Sequence, residues 1–202
     1  MRFYSYRVEH DYGLAPNPFG KYCTLAVCKG QIRKNSKLSI GDWIIGFGTE
    51  SLGVPQKLIH AMRIDEIITF DEYWNDKRFA YKKPVINGSL KQMYGDNFYH
   101  TVNGVVVQEN SAHSKNDGIE NEEHKEKDTS GKNVLISNCF YYFGDACVEI
   151  PTEFKSIIGP PRPIKSKSIP EEVKEPFLNW LSLNFQQGRM GDPISWKIHL
   201  AT

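Results

Sequence analysis

Side chains suited to chemistry are concentrated in residues 11–33, with the sequence DYGLAPNPFGKYCTLAVCKGQIR. Arginine and lysine bind phosphate groups, while aspartate and asparagine can read the hydrogen-bonding edge of a base. The glycines of this segment leave room for a ligand close to the backbone. We therefore predict that the segment folds around one pocket. The predicted ligand contacts are Asp11, Asn17 and Thr24 for the base edge, and Lys29 and Arg33 for the phosphate.

Two other interpretations of this segment remain open. Asp11 and Asn17 are of a residue type that often satisfies backbone amides in turns, without any ligand. The same segment also allows an enzymatic interpretation, because a cysteine beside a base can act as a nucleophile. Cys23 or Cys28 would then be the nucleophile, and Asp11 or His100 the base.

The four cysteines do not follow a familiar metal-binding pattern. Zinc sites favour two cysteines separated by two residues, whereas Cys23 and Cys28 are separated by four and Cys139 and Cys147 by seven. If Cys23 and Cys28 lie on one strand, their side chains point to opposite faces. We therefore predict free thiols, no metal site and no cofactor.

Aromatic and basic residues indicate where a base or a nucleic acid would bind. Trp43 or Tyr99 is predicted to stack on the base. A predicted nucleic-acid rim combines four cations with nearby aromatic rings, namely Lys77, Arg78, Lys82 and Lys83 beside Trp74, Phe79 and Tyr81. A further basic cluster contains Arg162, Lys165 and Lys167. The net charge of only +1 favours a base, a nucleotide or a short contact over a long duplex.

The sequence lacks the signatures of several common enzyme classes. It contains no GxxxxGK[ST] phosphate loop, no GxGxxG, no GxSxG and no HExxH. These absences argue against the common NTP-dependent and hydrolase classes and leave room for a small, unusual enzyme.

Hydrophobic patterning predicts an α+β fold. Strands are predicted at residues 3–10, 22–28, 42–47, 57–68, 102–108 and 134–142. A capping box of Thr69 and Glu72 predicts a short helix over residues 69–76. Apolar residues at helical spacing predict a C-terminal helix within residues 168–185, and Ser168 and Glu171 form a second predicted capping box. Because Pro176 disrupts a helix interior, the helix should either kink there or begin nearer to Glu175. The expected architecture is a curved, mostly antiparallel sheet or a small barrel with few helices.

The chain is predicted to form a single domain, residues 1–202, with an acidic loop inserted at residues 109–133. That segment carries seven acidic residues and four lysines and has no aromatic residue, so we expect it to be exposed and flexible. A partner-binding role for the loop is an alternative. No apolar run is long enough to span a membrane and the N-terminus does not resemble a signal peptide, so we expect a cytoplasmic location.

Several motifs together resemble a known family. They are D-x-G-x-APNPF with CTLAVCK and QIR, then GDWIIGFG, EYW, FYYFG and the stretch from FLNWL to GDP. The chain resembles the second of the nucleotide modification associated domain families, and departs from the expected pattern where Gly30 stands in place of a proline. The resemblance implies an association with hypermodified bases, often in phages and mobile elements, without an established reaction. GDWIIGFG and the strand after it are also similar to PUA-like domains such as EVE and ASCH, which hold a modified base on a small barrel.

Three hypotheses follow. The first is a domain that binds a nucleotide or a modified base, either free or within a nucleic acid, and has no membrane partner. The second is a small enzyme of nucleotide or base modification that uses the same pocket. The third is a phage–host or defence-related interaction module that uses the acidic loop and the basic rim.

Overall fold

The computed structural model describes residues 1–159 and 169–197. Its strands are β1 Phe3–Val8, β2 Cys23–Leu25, β3 Trp43–Gly48, β4 Leu58–Arg63, β5 Glu66–Thr69, β6 Tyr99–Val102, β7 Val105–Gln108, β8 Asn133–Ser137, β9 Phe140–Tyr142 and β10 Gly188–Arg189. Its α-helices are α1 Gly30–Arg33, α2 Phe70–Asn75, α3 Leu90–Met93, α4 Glu122–Thr129 and α5 Glu171–Asn184. Short 3-10 helices occur at Lys77–Lys82, Asn116–Gly118, Gly144–Ala146, Thr152–Ile157 and Ile194–Trp196.

The chain divides into two compact units. Unit 1 contains Met1–Tyr12, Ser39–Asp65 and Ser137–Thr202, and unit 2 contains Gly13–Leu38 and Glu66–Ile136. Each unit is therefore built from segments that are distant in the sequence, and contacts between distant segments hold it together.

Unit 1 is organised around an open sheet with the strand order β1-β3-β4-β9-β10. Strand β3 runs parallel to β1 and antiparallel to β4, and β9 is antiparallel to β4 and parallel to β10. Every residue of β3 is buried, as expected for a central strand covered on both faces. Helix α5 contributes Phe177 and Leu181 to the core, where Phe177 meets Phe3 and Phe154 edge to face.

Unit 2 contains a three-stranded sheet with the order β2-β8-β5 and a separate hairpin of β6 and β7. The hairpin turns at Asn103 and Gly104, whose φ angles are 51° and 80°. Asparagine and glycine adopt these positive φ values more readily than other residues, so they form a two-residue turn here. The predicted single strand over residues 102–108 is therefore wrong, because it overlooked this turn.

A capping box forms the start of α2, as the sequence predicts. The Thr69 hydroxyl accepts a hydrogen bond from the Glu72 amide at 3.2 Å, and the Glu72 carboxylate accepts one from the Thr69 amide at 2.7 Å. This reciprocal pair confirms the predicted capping box and fixes the first turn of the helix.

The fold class is α+β with open, mostly antiparallel sheets, which confirms the first of the two predicted architectures. The alternative form, a small closed barrel, is wrong for the described residues, since both multi-stranded sheets end in free edges. One cause is that residues 57–68 form two strands, β4 and β5, which enter different sheets. The residues after Leu25 also leave the strand conformation, because Cys28 and Lys29 have positive φ angles of 55° and 43°.

Helix α5 runs from Glu171 to Asn184 and continues through Pro176. Its N-cap is Pro170, while the predicted cap Ser168 lies outside the described residues. The predicted basic cluster of Arg162, Lys165 and Lys167 also lies outside them. No helix in the described part of the chain is both long and apolar enough to cross a membrane.

The acidic segment, residues 109–133, contains short helical elements. It includes the 3-10 turn Asn116–Gly118 and the helix α4, whose N-cap Asn121 accepts a hydrogen bond from the His124 amide at 3.3 Å. Most of its acidic side chains are exposed, as expected, whereas Asp128 is buried. The flexibility of this segment stays a prediction. A buried aspartate in such a polar helix requires specific partners, and these lie in the site described next.

Candidate active site

Cys28 lies between β2 and α1, at the point where the chain turns out of the strand. Both Cys28 and Lys29 adopt the left-handed conformation, which directs the backbone away from the sheet and towards α1. The Cys28 side chain is half-buried, so it combines a fixed position with access to solvent.

His113 lies between this thiol and a buried carboxylate. Its Nε2 is 3.9 Å from the Cys28 Sγ, and its Nδ1 is 2.6 Å from Oδ2 of Asp128. The other carboxylate oxygen, Oδ1, accepts a hydrogen bond of 2.7 Å from the Cys28 amide. The order thiol, imidazole, carboxylate is that of a nucleophile, a base and the group that orients the base. We call these three residues the Cys28 cluster.

Asp128 is held in position by a chain of donors. The Tyr99 hydroxyl donates to Oδ2 of Asp128 at 3.0 Å, and Nε2 of Gln108 in turn donates to the Tyr99 oxygen at 2.7 Å. Tyr99 lies on β6 and Gln108 on β7, so the hairpin supplies both residues. The carboxylate thus has three hydrogen-bonding partners, His113, Tyr99 and the Cys28 amide, which fix its orientation.

Arg33 connects the backbone on both sides of the cluster. Its guanidinium donates to the carbonyl of Cys28 at 2.8 Å, to that of Asp128 at 2.5 Å and to that of Asn133 at 2.8 Å. The side chain is fully buried, and burial lowers its pKa from the usual value. A Cβ atom on Gly131 would lie 2.5 Å from the Arg33 Cζ, so glycine leaves the space that the guanidinium occupies.

The cluster favours a charged imidazole. Burial alone would lower the pKa of His113, but its hydrogen bonds to Asp128 and Cys28 outweigh burial and raise the pKa to about 10. Burial would raise the pKa of Asp128, and the contacts with His113, Cys28 and Tyr99 lower it overall. His124 packs edge-on against His113 with ring centroids 4.5 Å apart, and burial followed by the nearby His113 charge lowers its pKa.

The same three side chains could be considered as metal ligands, since their ligand atoms lie within 4.8 Å of one another. Asp128, however, already accepts hydrogen bonds from His113, Tyr99 and the Cys28 amide. With Asp128 so arranged, a cation would have only the Cys28 sulfur and one ring nitrogen of His113. Zinc sites use three or four protein ligands, so the arrangement favours proton transfer over metal binding. The sequence-based expectation of no metal site stays a prediction.

Two of the predicted base contacts belong to a second buried cluster, which we call the Asp96 cluster. Its members are Asn17, Thr24, Tyr73, Lys82 and Asp96. Thr24 and Tyr73 donate their hydroxyl hydrogens to the two Asp96 oxygens at 2.7 Å and 2.8 Å. The Lys82 ammonium donates to the backbone and side-chain oxygens of Asn17 at 2.9 Å and 2.8 Å. Asn17 and Thr24 thus take part in buried hydrogen bonds that stabilise this region.

The residues predicted to line one pocket do not all belong to the same unit. Asp11 belongs to unit 1, where its carboxylate accepts hydrogen bonds from the Tyr142 hydroxyl at 2.5 Å and the Ile194 amide at 3.1 Å. Trp43 also belongs to unit 1 and is buried in its hydrophobic core. Asn17, Thr24, Lys29, Arg33 and Tyr99 all belong to unit 2. The roles predicted for these residues in ligand binding stay predictions.

Burial distinguishes the two cysteine candidates for the nucleophile. Cys23 is fully buried, and this burial raises the pKa of its thiol to about 12. A thiol that resists ionisation is a poor nucleophile, whereas Cys28 is half-buried beside an imidazole. The geometry therefore favours Cys28.

His100, the predicted base, makes contacts outside the Cys28 cluster. Its ring stacks on Trp74 with centroids 4.0 Å apart, and its Nε2 is 2.7 Å from the Glu109 carboxylate. The Lys83 ammonium lies 3.4 Å from the centre of the Trp74 ring. Trp74 already has an imidazole and a cation against it, so it offers little free surface to a base.

The predicted basic rim requires a correction. Lys82 is buried and bonded to Asn17, so it cannot form part of an exposed rim. Arg78 is exposed, but its guanidinium pairs with Glu66 and Asp76 at 2.7 Å each, which offsets its charge. Lys77 is exposed and Lys83 half-buried. The positive charge at the surface of this predicted rim is thus smaller than the sequence indicated.

Sequence reasoning missed His113 and Asp128. Both lie in the acidic segment, whose composition predicts an exposed run of charge. One usable signal was present, because that segment carries two histidines, His113 and His124, among its acidic residues. Histidine beside a carboxylate is a typical acid–base pair.

Fold and site together define an α+β protein with a cysteine, a histidine and an aspartate arranged as for nucleophilic catalysis. The family model described as nucleotide modification associated domain 2 matches residues 1–200. The chain belongs to this family, as the sequence motifs indicated. No curated protein and no solved structure shows significant similarity to it.

Proposed function

We propose that this chain is a cysteine-dependent enzyme that modifies, or reverses the modification of, a nucleotide or nucleobase. The observation that carries the proposal is the Cys28 cluster, with Nε2 of His113 at 3.9 Å from the thiol and Nδ1 at 2.6 Å from Asp128. Membership of a family associated with nucleotide modification supports the substrate class.

Each member of the cluster has a distinct role in this proposal. The Cys28 sulfur attacks the substrate and forms a covalent bond with it. His113 holds the thiol proton as the charged imidazole that the cluster favours, and delivers this proton to the leaving group. Asp128 keeps Nε2 of the imidazole directed at the sulfur and stabilises the charged ring. Distances between catalytic groups often shorten when substrate binds, so 3.9 Å is compatible with this role.

Lys29 directly follows the nucleophile and remains our proposed contact for a substrate phosphate. Arg33 is not included in this role, because its guanidinium donates to three carbonyl groups. Tyr99 is not included as a stacking residue, because its ring is buried and its hydroxyl holds Asp128. We assign both residues to the support of the cluster.

The test compares cells that express the wild-type chain, Cys28→Ser or Cys147→Ser. Cys147 is a half-buried thiol outside the cluster and provides the matched control. Free nucleotides and enzymatically released nucleosides of DNA and RNA are compared by liquid chromatography and mass spectrometry. We expect one or more species to change with the wild type and with Cys147→Ser, and to remain unchanged with Cys28→Ser.

Identical nucleotide pools for the wild type and Cys28→Ser would contradict the enzymatic proposal. A nucleotide that copurifies equally with both proteins would then favour the binding-domain hypothesis, in which turnover is absent. Native mass spectrometry of the purified proteins provides this second measurement.

A further inference from the structure

We propose that Cys28 carries a transient acyl group, so that the substrate is a nucleobase or nucleotide bearing an amide- or ester-linked acyl substituent. This inference rests on the proposed function and deepens it, because it assigns the reaction class. The argument compares what the Cys28 cluster provides with what each class of cysteine chemistry requires.

Acyl transfer requires a nucleophile and a proton donor for the leaving group, both close to one carbonyl carbon. The Cys28 sulfur and Nε2 of His113 are 3.9 Å apart, so a carbonyl carbon bound to the sulfur would bring its leaving atom near Nε2. Nδ1 of His113 donates a hydrogen bond of 2.6 Å to Asp128, and this leaves Nε2 to exchange the proton. An amide nitrogen is a poor leaving group, and protonation by such a histidine makes its departure possible.

Phosphoryl transfer to the cysteine would require a different environment. A phosphoryl group spreads negative charge over several oxygens and requires cationic donors directed at them. The turn after Cys28 carries two cations, Lys29, which we assign to a phosphate of the substrate itself, and Arg33. The Arg33 guanidinium donates to the carbonyls of Cys28, Asp128 and Asn133. Arg33 therefore holds the backbone of the site, and its donors are directed at the protein.

The reaction balances with water as the only additional reactant. The thiolate attacks the carbonyl carbon, the carbon–sulfur bond forms, and the bond to nitrogen or oxygen breaks as His113 transfers a proton to the leaving group. Water then attacks the thioester while His113 accepts one of its protons. The carbon–sulfur bond breaks, the sulfur regains the proton, and a carboxylic acid is released. No electron transfer takes place.

The experiment uses two defined probes, p-nitrophenyl acetate and N4-acetylcytidine, with the full-length protein. Release of p-nitrophenol is followed in time, and intact-protein mass spectrometry after rapid acid quenching detects an added acetyl group. We expect a burst of one nitrophenol per protein, followed by slower turnover, with the acetyl group mapped to Cys28. N4-acetylcytidine tests whether an acyl group on a base is also removed.

Variants separate catalysis from simple thiol reactivity. Cys28→Ser should abolish the burst, and Cys139→Ser and Cys147→Ser should retain it, because these half-buried thiols lie outside the cluster. His113→Asn should lower the acylation rate by about 10²–10⁴-fold, the usual contribution of a general acid–base group. Circular dichroism and the unfolding midpoint show whether each variant is folded. If His113→Asn is unfolded, deacylation of the wild type at a series of pH values provides the same information.

Three results would overturn the inference. One is the absence of any acetylated Cys28, and another is an acetylation rate equal to that of Cys147. The third is stoichiometric zinc that copurifies with the wild type and is lost in Cys28→Ser, which would identify the cluster as a metal site. If Cys28-dependent nucleotide changes persist without an acyl-enzyme, only the reaction class is wrong. If acylation occurs but nucleotide pools never change, the proposed function fails instead.

Discussion

Replacement of Asp128 by asparagine tests the electrostatics of the candidate site directly. The change retains the size of the side chain and removes its charge. In the wild type, the pKa of His113 is raised from its usual 6.5 to about 10. Because burial acts in the opposite direction and only the contact with Cys28 would remain to raise it, removal of the carboxylate should lower this pKa.

The expected loss of stability follows from the same numbers. A rise in pKa from 6.5 to about 10 corresponds to a contribution on the order of 5 kcal/mol, at 1.36 kcal/mol for each pKa unit. Removal of one partner from a buried ion pair typically costs about 3–5 kcal/mol, which is of similar size. The His113 side chain is 12% exposed and Asp128 3%, so solvent screens the pair only weakly.

The sign of the pH dependence follows from the direction of each pKa shift. The contribution of His113 is fully present below pH 6.5, where the unfolded chain is also protonated, and it is lost as the pH rises towards 10. The contribution of Asp128, whose pKa is lowered, is lost as the pH falls below 3.8. The difference in stability between the wild type and Asp128→Asn should therefore be largest between pH 4 and 6.5, and should decrease towards pH 10.

Two measurements test this prediction. Urea unfolding at several pH values gives the free energy of unfolding, and NMR titration of the labelled imidazole gives the pKa of His113. Glu126→Gln is the control, since it removes an exposed carboxylate from the same helix. The reasoning would be refuted if His113 in Asp128→Asn still titrated near 10, or if this variant were as stable as Glu126→Gln.

Three further predictions concern the support of the fold. Arg33→Lys should leave buried carbonyl oxygens without a donor, and each such oxygen should lower the free energy of unfolding by about 1–3 kcal/mol, measured by urea unfolding. The same variant should slow Cys28-dependent acylation more than a variant of equal stability does. Lys82→Met should lower the free energy of unfolding by about 1–3 kcal/mol, because both Asn17 oxygens lose a donor. Lys77→Ala, at an exposed position, is the control and should change this free energy by less than about 0.5 kcal/mol. Thr69→Ala should cost about 1 kcal/mol through loss of the helix cap, and an unchanged thermal midpoint would contradict the capping assignment.

Local features of the fold were accessible from the sequence. The strand β3 was predictable because its side chains are apolar on both faces, and this pattern depends on only six consecutive residues. The helix α2 was predictable because its cap connects residues three apart. The two strands within residues 57–68 were not separated, because the point at which a chain changes sheets depends on contacts with distant strands.

The candidate site was only partly predictable for the same reason. Cys28 was recognised as a nucleophile candidate from its neighbours in the chain. Its amide nevertheless bonds to a carboxylate 100 residues away, and no local pattern indicates that contact. At Arg33, residue type alone does not distinguish a phosphate contact from a structural role, since an arginine suits both before its burial is known.

The three carbonyl contacts of Arg33 have a consequence for how the protein loses function on heating. One guanidinium holds the backbone of Cys28 and the backbone of Asp128. The two groups cannot drift apart while that side chain remains in place. Thiol reactivity and the native structure of unit 2 should therefore disappear at the same temperature, without a preceding inactive state that is still folded.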